Sequence, residues 1–302
     1  MLALITPRHR SMAAAGLAVV MLWASALPAA AHYPVEPGGH AFRTDRAHHQ
    51  QGAVQQAASQ PSPIALKLAA GSIGYDISFP QCNGSFPKNA AFKIVGVNKG
   101  RAFDPNPCLG IGDGPSELQW AGRFASFYAN TGSPGPSLSK RWPLGQRFPR
   151  RCTKDAPLSK GCAYDYGWNA AKDSYLTAVR AYVSLGWAPP GATRTPVRNR
   201  WWLDVETSNS WRRNKLLNVA TLQGAVAFLE SRDVGFVGFY SARHMWESIT
   251  GSTLVFSAYP SWMAGASTLR GALRYCQEVG FTGGRAKLSQ FPKNGFDANV
   301  VC

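Results

Sequence analysis

The chain has 302 residues and a net charge of +16, from 32 basic and 16 acidic side chains. That length accommodates one large domain or two small ones, and the charge favours polyanionic surroundings. No nucleic-acid-binding motif accompanies the charge, and the six cysteines lack the CxxC spacing of a metal site.

In chain order, Arg8, His9 and Arg10 precede an apolar run over 12–27, followed by Pro28 and Ala29-Ala30-Ala31. A basic start, an apolar stretch and small residues at its end read as a secretory signal over 1–31, cut after Ala31. An uncleaved anchor is the alternative, because the run nearly reaches spanning length. Cleavage removes Arg8 and Arg10. Residues 32–71 are rich in His, Gln, Ala, Pro and Gly and supply no core, so they read as a flexible spacer. His32, His40, His48 and His49 are a weak metal-binding alternative within it. The protein is therefore expected to be secreted, extracellular or associated with the cell wall. Its charge suits anionic wall polymers, or serves solubility alone.

The remaining domain, 72–302, alternates strand-like and helical patterns. Strands are expected over 73–78, 92–98 and 123–129. A turn-rich segment, 131–136, follows. The basic Cys152–Cys162 region reads as a long surface loop. Over 168–185, Tyr175, Leu176, Val179, Tyr182 and Val183 recur at helical spacing, and Gly186 suits the helix end. A strand over 201–206 and a helix over 219–231 come next, then a strand over 235–241. Weaker strands are expected at 254–256, 261–264, 286–291 and 299–301. Alternation of this kind implies an α/β fold with a mainly parallel sheet, closed here as a modified (β/α) TIM-like barrel in a single domain.

All six cysteines follow the spacer, and an even count in an exported chain suggests three disulfides. Local pairing, Cys82 with Cys108, Cys152 with Cys162 and Cys276 with Cys302, is expected to staple the domain.

The chemistry concentrates in Trp201-Trp202-Leu203-Asp204-Val205-Glu206. Alternate residues of a strand share a face, which places the Cα atoms of Asp204 and Glu206 roughly 6.5 Å apart. Two carboxylates at such range fit glycosidic cleavage, one donating a proton and the other supporting developing positive charge. Asp76 ends the first strand, and barrel sites lie at the carboxyl ends of strands. Asp297 stands beside a Gly turn. Tyr128, Tyr240 and Trp262 are candidates to stack on sugar rings. The domain holds a single histidine, His244, too few for the common zinc sets. Its cysteines read as paired, and no Gly-x-Ser-x-Gly elbow occurs. No metal or other cofactor is called for.

Four motifs in order resemble glycoside hydrolase family 25, the lysozyme-like muramidases, across nearly all of 72–302. They are Gly74-Tyr75-Asp76-Ile77-Ser78, Leu203-Asp204-Val205-Glu206, Val237-Gly238-Phe239-Tyr240-Ser241, and Ser289-Gln290-Phe291 with Gly295-Phe296-Asp297-Ala298-Asn299. Val95-Gly96-Val97-Asn98 and Tyr164-Asp165-Tyr166-Gly167-Trp168-Asn169-Ala170-Ala171 look closer still to secreted actinobacterial lysozyme-like proteins of unestablished activity. The resemblance implies cleavage between N-acetylmuramic acid and N-acetylglucosamine. It makes Glu206 the proton donor and Asp204 the stabilising carboxylate, with Asp76 and Asp297 completing an acidic cluster. The family often has an acidic residue before Gly in its second-strand motif, where this chain has Lys99-Gly100. A lysine near the cluster would favour ionised carboxylates and lower the donor's pKa, or would bind a substrate carboxylate. The expected partner is peptidoglycan or another wall glycan, and the protein is expected to be a monomer. The alternative is a non-catalytic wall-glycan-binding protein on the same fold.

Overall fold

The computed structural model describes residues 68–82, 84–112 and 114–302. The expected signal segment, 1–31, and the expected spacer as far as residue 67 lie outside them. Eight strands close a barrel in sequence order: β1 (Ile73–Ile77), β2 (Lys93–Gly96), β3 (Ser126–Asn130), β4 (Arg200–Asp204), β5 (Phe236–Ser241), β6 (Ser261–Met263), β7 (Ala286–Lys293) and β8 (Phe296–Val301). Among the described residues five α-helices, and a short 3-10 helix at Phe79–Gln81, lie between them: α1 (Glu117–Ala121), α2 (Lys160–Ser184), α3 (Lys215–Ser231), α4 (Arg243–Thr250) and α5 (Leu269–Tyr275). Strands β1 to β7 run parallel. Strand β8 runs antiparallel to both of its neighbours, β7 and β1. Among the described residues no helix is long and apolar enough to cross a membrane.

Side-chain alternation divides the sheet into two apolar layers. Outward-facing Val95, Phe127, Trp201, Leu203, Val237 and Phe239 pack with Tyr175, Tyr182, Leu222 and Phe228 of the helices. Inside the barrel, Ile94, Trp202, Trp262 and Leu288 form a separate cluster. Two indoles fit there because β5 carries Gly238. A Cβ at that position would lie 2.4 Å from the Trp202 ring. The interior is thus a packed plug, and any site must sit above or below it.

Helix starts are set by side-chain caps. The side chains of Ser116, Ser159, Asn214 and Thr268 accept from backbone N–H groups of α1, α2, α3 and α5 respectively. Helices α2 and α3 approach through glycines. A Cβ on Gly167 would sit 1.8 Å from the Thr221 carbonyl oxygen, and one on Gly224 would sit 1.9 Å from that of Tyr164.

The three disulfides are Cys82–Cys108, Cys152–Cys162 and Cys276–Cys302, the pairing expected from the sequence. Two expectations are corrected. Residues 254–256 form no strand: Leu254 is irregular and Val255 and Phe256 begin a turn, since Leu254 and Val255 face solvent and only Phe256 is buried. The Cys152–Cys162 segment is loop only as far as Ser159, where α2 begins, earlier than the apolar spacing indicated.

Candidate active site

The carboxyl ends of the parallel strands gather the acidic residues. Asp76 is the fourth residue of β1, and Asp204 is the last of β4. Beyond β4, Val205 donates its N–H to the Tyr240 carbonyl at 2.9 Å, which carries the strand path on to Glu206. Asp297 reaches the same rim from the other chain direction. Because β8 is antiparallel, its first residues stand beside the last residues of β1, and Asp297 is in register with Asp76. A parallel eighth strand would have placed Asp297 at the opposite mouth.

All four carboxylates act on one hydroxyl. Burial first, then Asp204, Glu206, Asp76 and Asp297, push Tyr240 well above its usual range. They also act on one another. Asp76 is pushed up to about 7 by burial and then by Asp297. Asp204 is raised by burial, Glu206 and Asp76. Glu206 is raised by burial and Asp297. Asp297 is raised by burial of part of its surface, yet it is the most solvent-exposed of the four.

Amides hold the cluster in place. Asp76 Oδ2 accepts from Asn299 Nδ2 at 2.6 Å and from Gln290 Nε2 at 3.1 Å. Gln290 Oε1 accepts from the Tyr240 hydroxyl at 2.8 Å, and Asn299 Oδ1 accepts from the Trp262 indole N–H at 2.7 Å. Each amide therefore uses both of its ends, and Asp76 is fixed from two directions. Asp204 Oδ2 accepts from Asn130 Nδ2. The Asn130 N–H in turn donates to Asn98 Oδ1 at 2.8 Å. Asp204 Oδ1 is buried and has no partner among the described residues. An unpaired buried carboxylate oxygen is costly to ionise, in keeping with the upward shift of Asp204.

The expected aromatic residues divide. Tyr240 and Tyr128 are half-buried at the rim. Burial, Asp76, Asp204 and Glu117 raise Tyr128, while its contact with Ser78 lowers it. Trp262 does not stack on a sugar. It is 1% exposed and lies edge-on to Tyr240 at 4.6 Å, below the cleft. Its indole positions Asn299, which in turn holds Asp76. Of the two roles expected for Lys99, the lowering of the donor's pKa is corrected. This residue is exposed on the loop after β2, its N–H donating to the Asp104 carbonyl at 2.6 Å. It is not among the charges that shift any of the four carboxylates, all of which move upward.

A fifth acid, Glu117, escaped the sequence reading. It starts α1, is fully buried, and is pushed up to about 7 by burial. Its Oε2 accepts from Asn106 Nδ2 at 2.7 Å, and its other oxygen has no partner among the described residues. The available signal was Ser116-Glu117, a helix cap followed by an acid. That pattern identifies a helix start and says nothing about burial. Asn130, Gln290 and Asn299 were missed as positioning groups because amides carry no charge pattern. Among the described residues, no group of three or more His, Cys, Asp or Glu side chains is spaced to hold a metal ion.

A closed α/β barrel with acids converging on its carboxyl rim has the layout of a glycosidase-type barrel. More particularly, residues 193–269 match the family model described as Lysozyme-like protein 1. That stretch carries Asp204, Glu206, Tyr240 and Trp262. Comparison with curated proteins returns no match. Among solved structures, the chain is similar to a family GH25 lysozyme from Aspergillus fumigatus at 14% identity and TM-score 0.46, covering 76% of this chain and 93% of that one. It is similar to the bacterial lysozyme from Streptomyces coelicolor at 14% identity and TM-score 0.45, covering 77% and 92%. It is also similar to a muramidase from Trichobolus zukalii at 16% identity and TM-score 0.41, covering 76% and 93%.

Proposed function

We propose that this chain is a secreted glycoside hydrolase that cuts peptidoglycan between N-acetylmuramic acid and N-acetylglucosamine. The observation that carries the reading is the convergence of Asp76, Asp204, Glu206 and Asp297 around the Tyr240 hydroxyl at the barrel rim. The match of residues 193–269 to a lysozyme-like family adds support.

Glu206 suits the proton donor. It is half-buried at the strand end, and burial and Asp297 raise its pKa. An acid must keep its proton near the working pH in order to deliver it to the leaving oxygen. As the glycosidic C–O bond breaks, positive charge builds on the sugar, and the carboxylates beside it lower that cost. Water then adds to the sugar carbon, and its proton restores Glu206. Asp204, with one oxygen on Asn130 and the other buried and unpaired, would orient the substrate or stabilise the cation. Asp76, held by two amides, keeps the floor of the cluster fixed.

The test is incubation of the protein with purified peptidoglycan while new reducing ends are followed. Wild type is expected to release them. Glu206→Gln keeps the shape but lacks the proton, and is expected to lose roughly 10²–10⁴-fold in kcat. Wild-type binding to peptidoglycan without any release would leave a glycan-binding protein and reject the hydrolase. The rate is also expected to fall as pH climbs through the raised pKa of Glu206, because the donor loses its proton. A rate that keeps rising with pH would exclude Glu206 as the acid.

A further inference from the structure

The barrel has a second mouth, at the amino ends of β2, β4, β5 and β7. A cavity of about 1080 Å³ opens there, lined by Phe92, Arg200, Phe236 and Lys287 at the strand starts and by Arg285 just before β7. Its floor is the underside of the buried plug, where Trp202 and Leu288 line it. Ligand pockets for small organic molecules run about 300–1,000 Å³, so the space is ample. The acidic cluster lies at the other end of the strands.

Charge is the unusual feature of this cavity. Three cations line it, and among the described residues none of them forms an ion pair. The acidic side chain in the lining, Glu278, is engaged elsewhere, with Arg243 at 2.8 Å. Cys302 also lines the cavity, and no ion pair joins it to these cations. The Lys287 ammonium sits 4.6 Å over the centre of the Phe236 ring. Burial, and next the charge of Arg200, push Lys287 below its usual range. Arg200 is in register with Phe236 across β4 and β5, so cations from strands β4 and β7 meet at one aromatic ring. Like charges that converge with no carboxylate ion-paired to them, neither Glu278 nor the terminal carboxylate of Cys302, raise the free energy of the empty protein. An anion seated between them would remove that cost. A guanidinium fork and an ammonium are the groups that take phosphate and carboxylate oxygens, and the Phe92 and Phe236 rings would take an apolar portion.

We infer that this amino-terminal mouth is a second binding site, for an organic anion whose phosphate or carboxylate is held by Arg200, Arg285 and Lys287 while its apolar part rests on Phe92 and Phe236. The site does not depend on the glycosidase reading.

Calorimetric titration of the full chain at low salt tests it, with phenyl phosphate and benzoate as separate probes. At least one probe is expected to saturate a single site. Its affinity is expected to drop at least about tenfold in Lys287→Met and in Arg200→Gln, the size of losing one charged hydrogen bond. The thermal midpoint of Lys287→Met without probe is expected to equal or exceed that of wild type, because one of the converging like charges is gone. Saturation by phenyl phosphate alone assigns a phosphorylated ligand, and by benzoate alone a carboxylate. Glu206→Gln is expected to bind the probe like wild type, so an inactive carboxylate cluster leaves this site standing. The inference is overturned if neither probe saturates, or if the affinity of both variants equals that of wild type. Two variants on different strands keep the result readable should one fail to fold.

Discussion

Asp76 shows what a single side chain gives up at this rim. Its usual pKa of 3.8 rises to about 7 in the fold. A raised acid pKa means that the folded state binds its proton over a range where the unfolded chain has lost it. Stability from this group is therefore full below about pH 4 and is lost as pH rises towards 7. The penalty at neutral pH is on the order of 4 kcal/mol for a shift of this size. Asp76→Asn keeps an oxygen for Gln290 and Asn299 and has no proton to lose. Chemical denaturation at pH 4.5 and 7.5 is expected to show wild type less stable at the higher pH. The variant is expected to lose less across the same interval, with Glu117 accounting for part of what remains. An identical slope in both proteins would refute the assignment. The sequence made Asp204 and Glu206 legible because strand alternation is a rigid rule. It misjudged Trp262 because an exposed aromatic platform and a buried positioning indole look the same as letters. It misjudged the effect of Lys99 on the donor's pKa because adjacency to a motif says nothing of where a loop turns its side chain.

Among elements, β8 decides the site, and its direction was not legible. The motif around Asp297 was visible, but nothing in a six-residue strand states whether it runs with or against its neighbours. The short link from Lys293 to Phe296 forces a hairpin, and a hairpin is antiparallel. The long helices α2 and α3 were readable from apolar spacing. Helices α1, α4 and α5 were not, since none exceeds eight residues and too few turns exist to set a period. The α2–α3 contact is also invisible in a helical pattern, because it rests on glycine. Gly224→Ala puts a methyl 1.9 Å from the Tyr164 carbonyl oxygen, so one of the helices must shift. Overpacking a close contact costs typically 1–3 kcal/mol. The denaturant midpoint of Gly224→Ala is expected to drop accordingly. A helix-favouring Gly→Ala effect alone would raise it, so the sign of the change decides between the two.

For the molecule as a whole, the barrel holds opposite charges at its two mouths and closes through its last strand. Cys276, just after α5, bonds to Cys302, just after β8, across a sequence separation of 26. This staple ties down the strand that carries Asp297 and Asn299. Two roles are distinguishable. If the hydrogen-bonded register of β8 with β1 and β7 sets the site, the bond acts only on unfolding. If the bond sets the site, its removal disturbs Asp297 at any temperature. The register spans four residue pairs with β1 and six with β7, which favours the first. Replacing both cysteines by serine is then expected to cost about 3 kcal/mol. That lowers the thermal midpoint by roughly 10 °C in a domain of this size. The rate of reducing-end release well below the midpoint is expected to stay unchanged. Removing Cys152–Cys162, with a separation of only 10, is expected to cost less, because a shorter loop constrains the unfolded chain less. Calorimetry beside a low-temperature activity assay checks both claims. A rate that collapses while the midpoint barely moves would make the disulfide part of the site rather than a brake on unfolding.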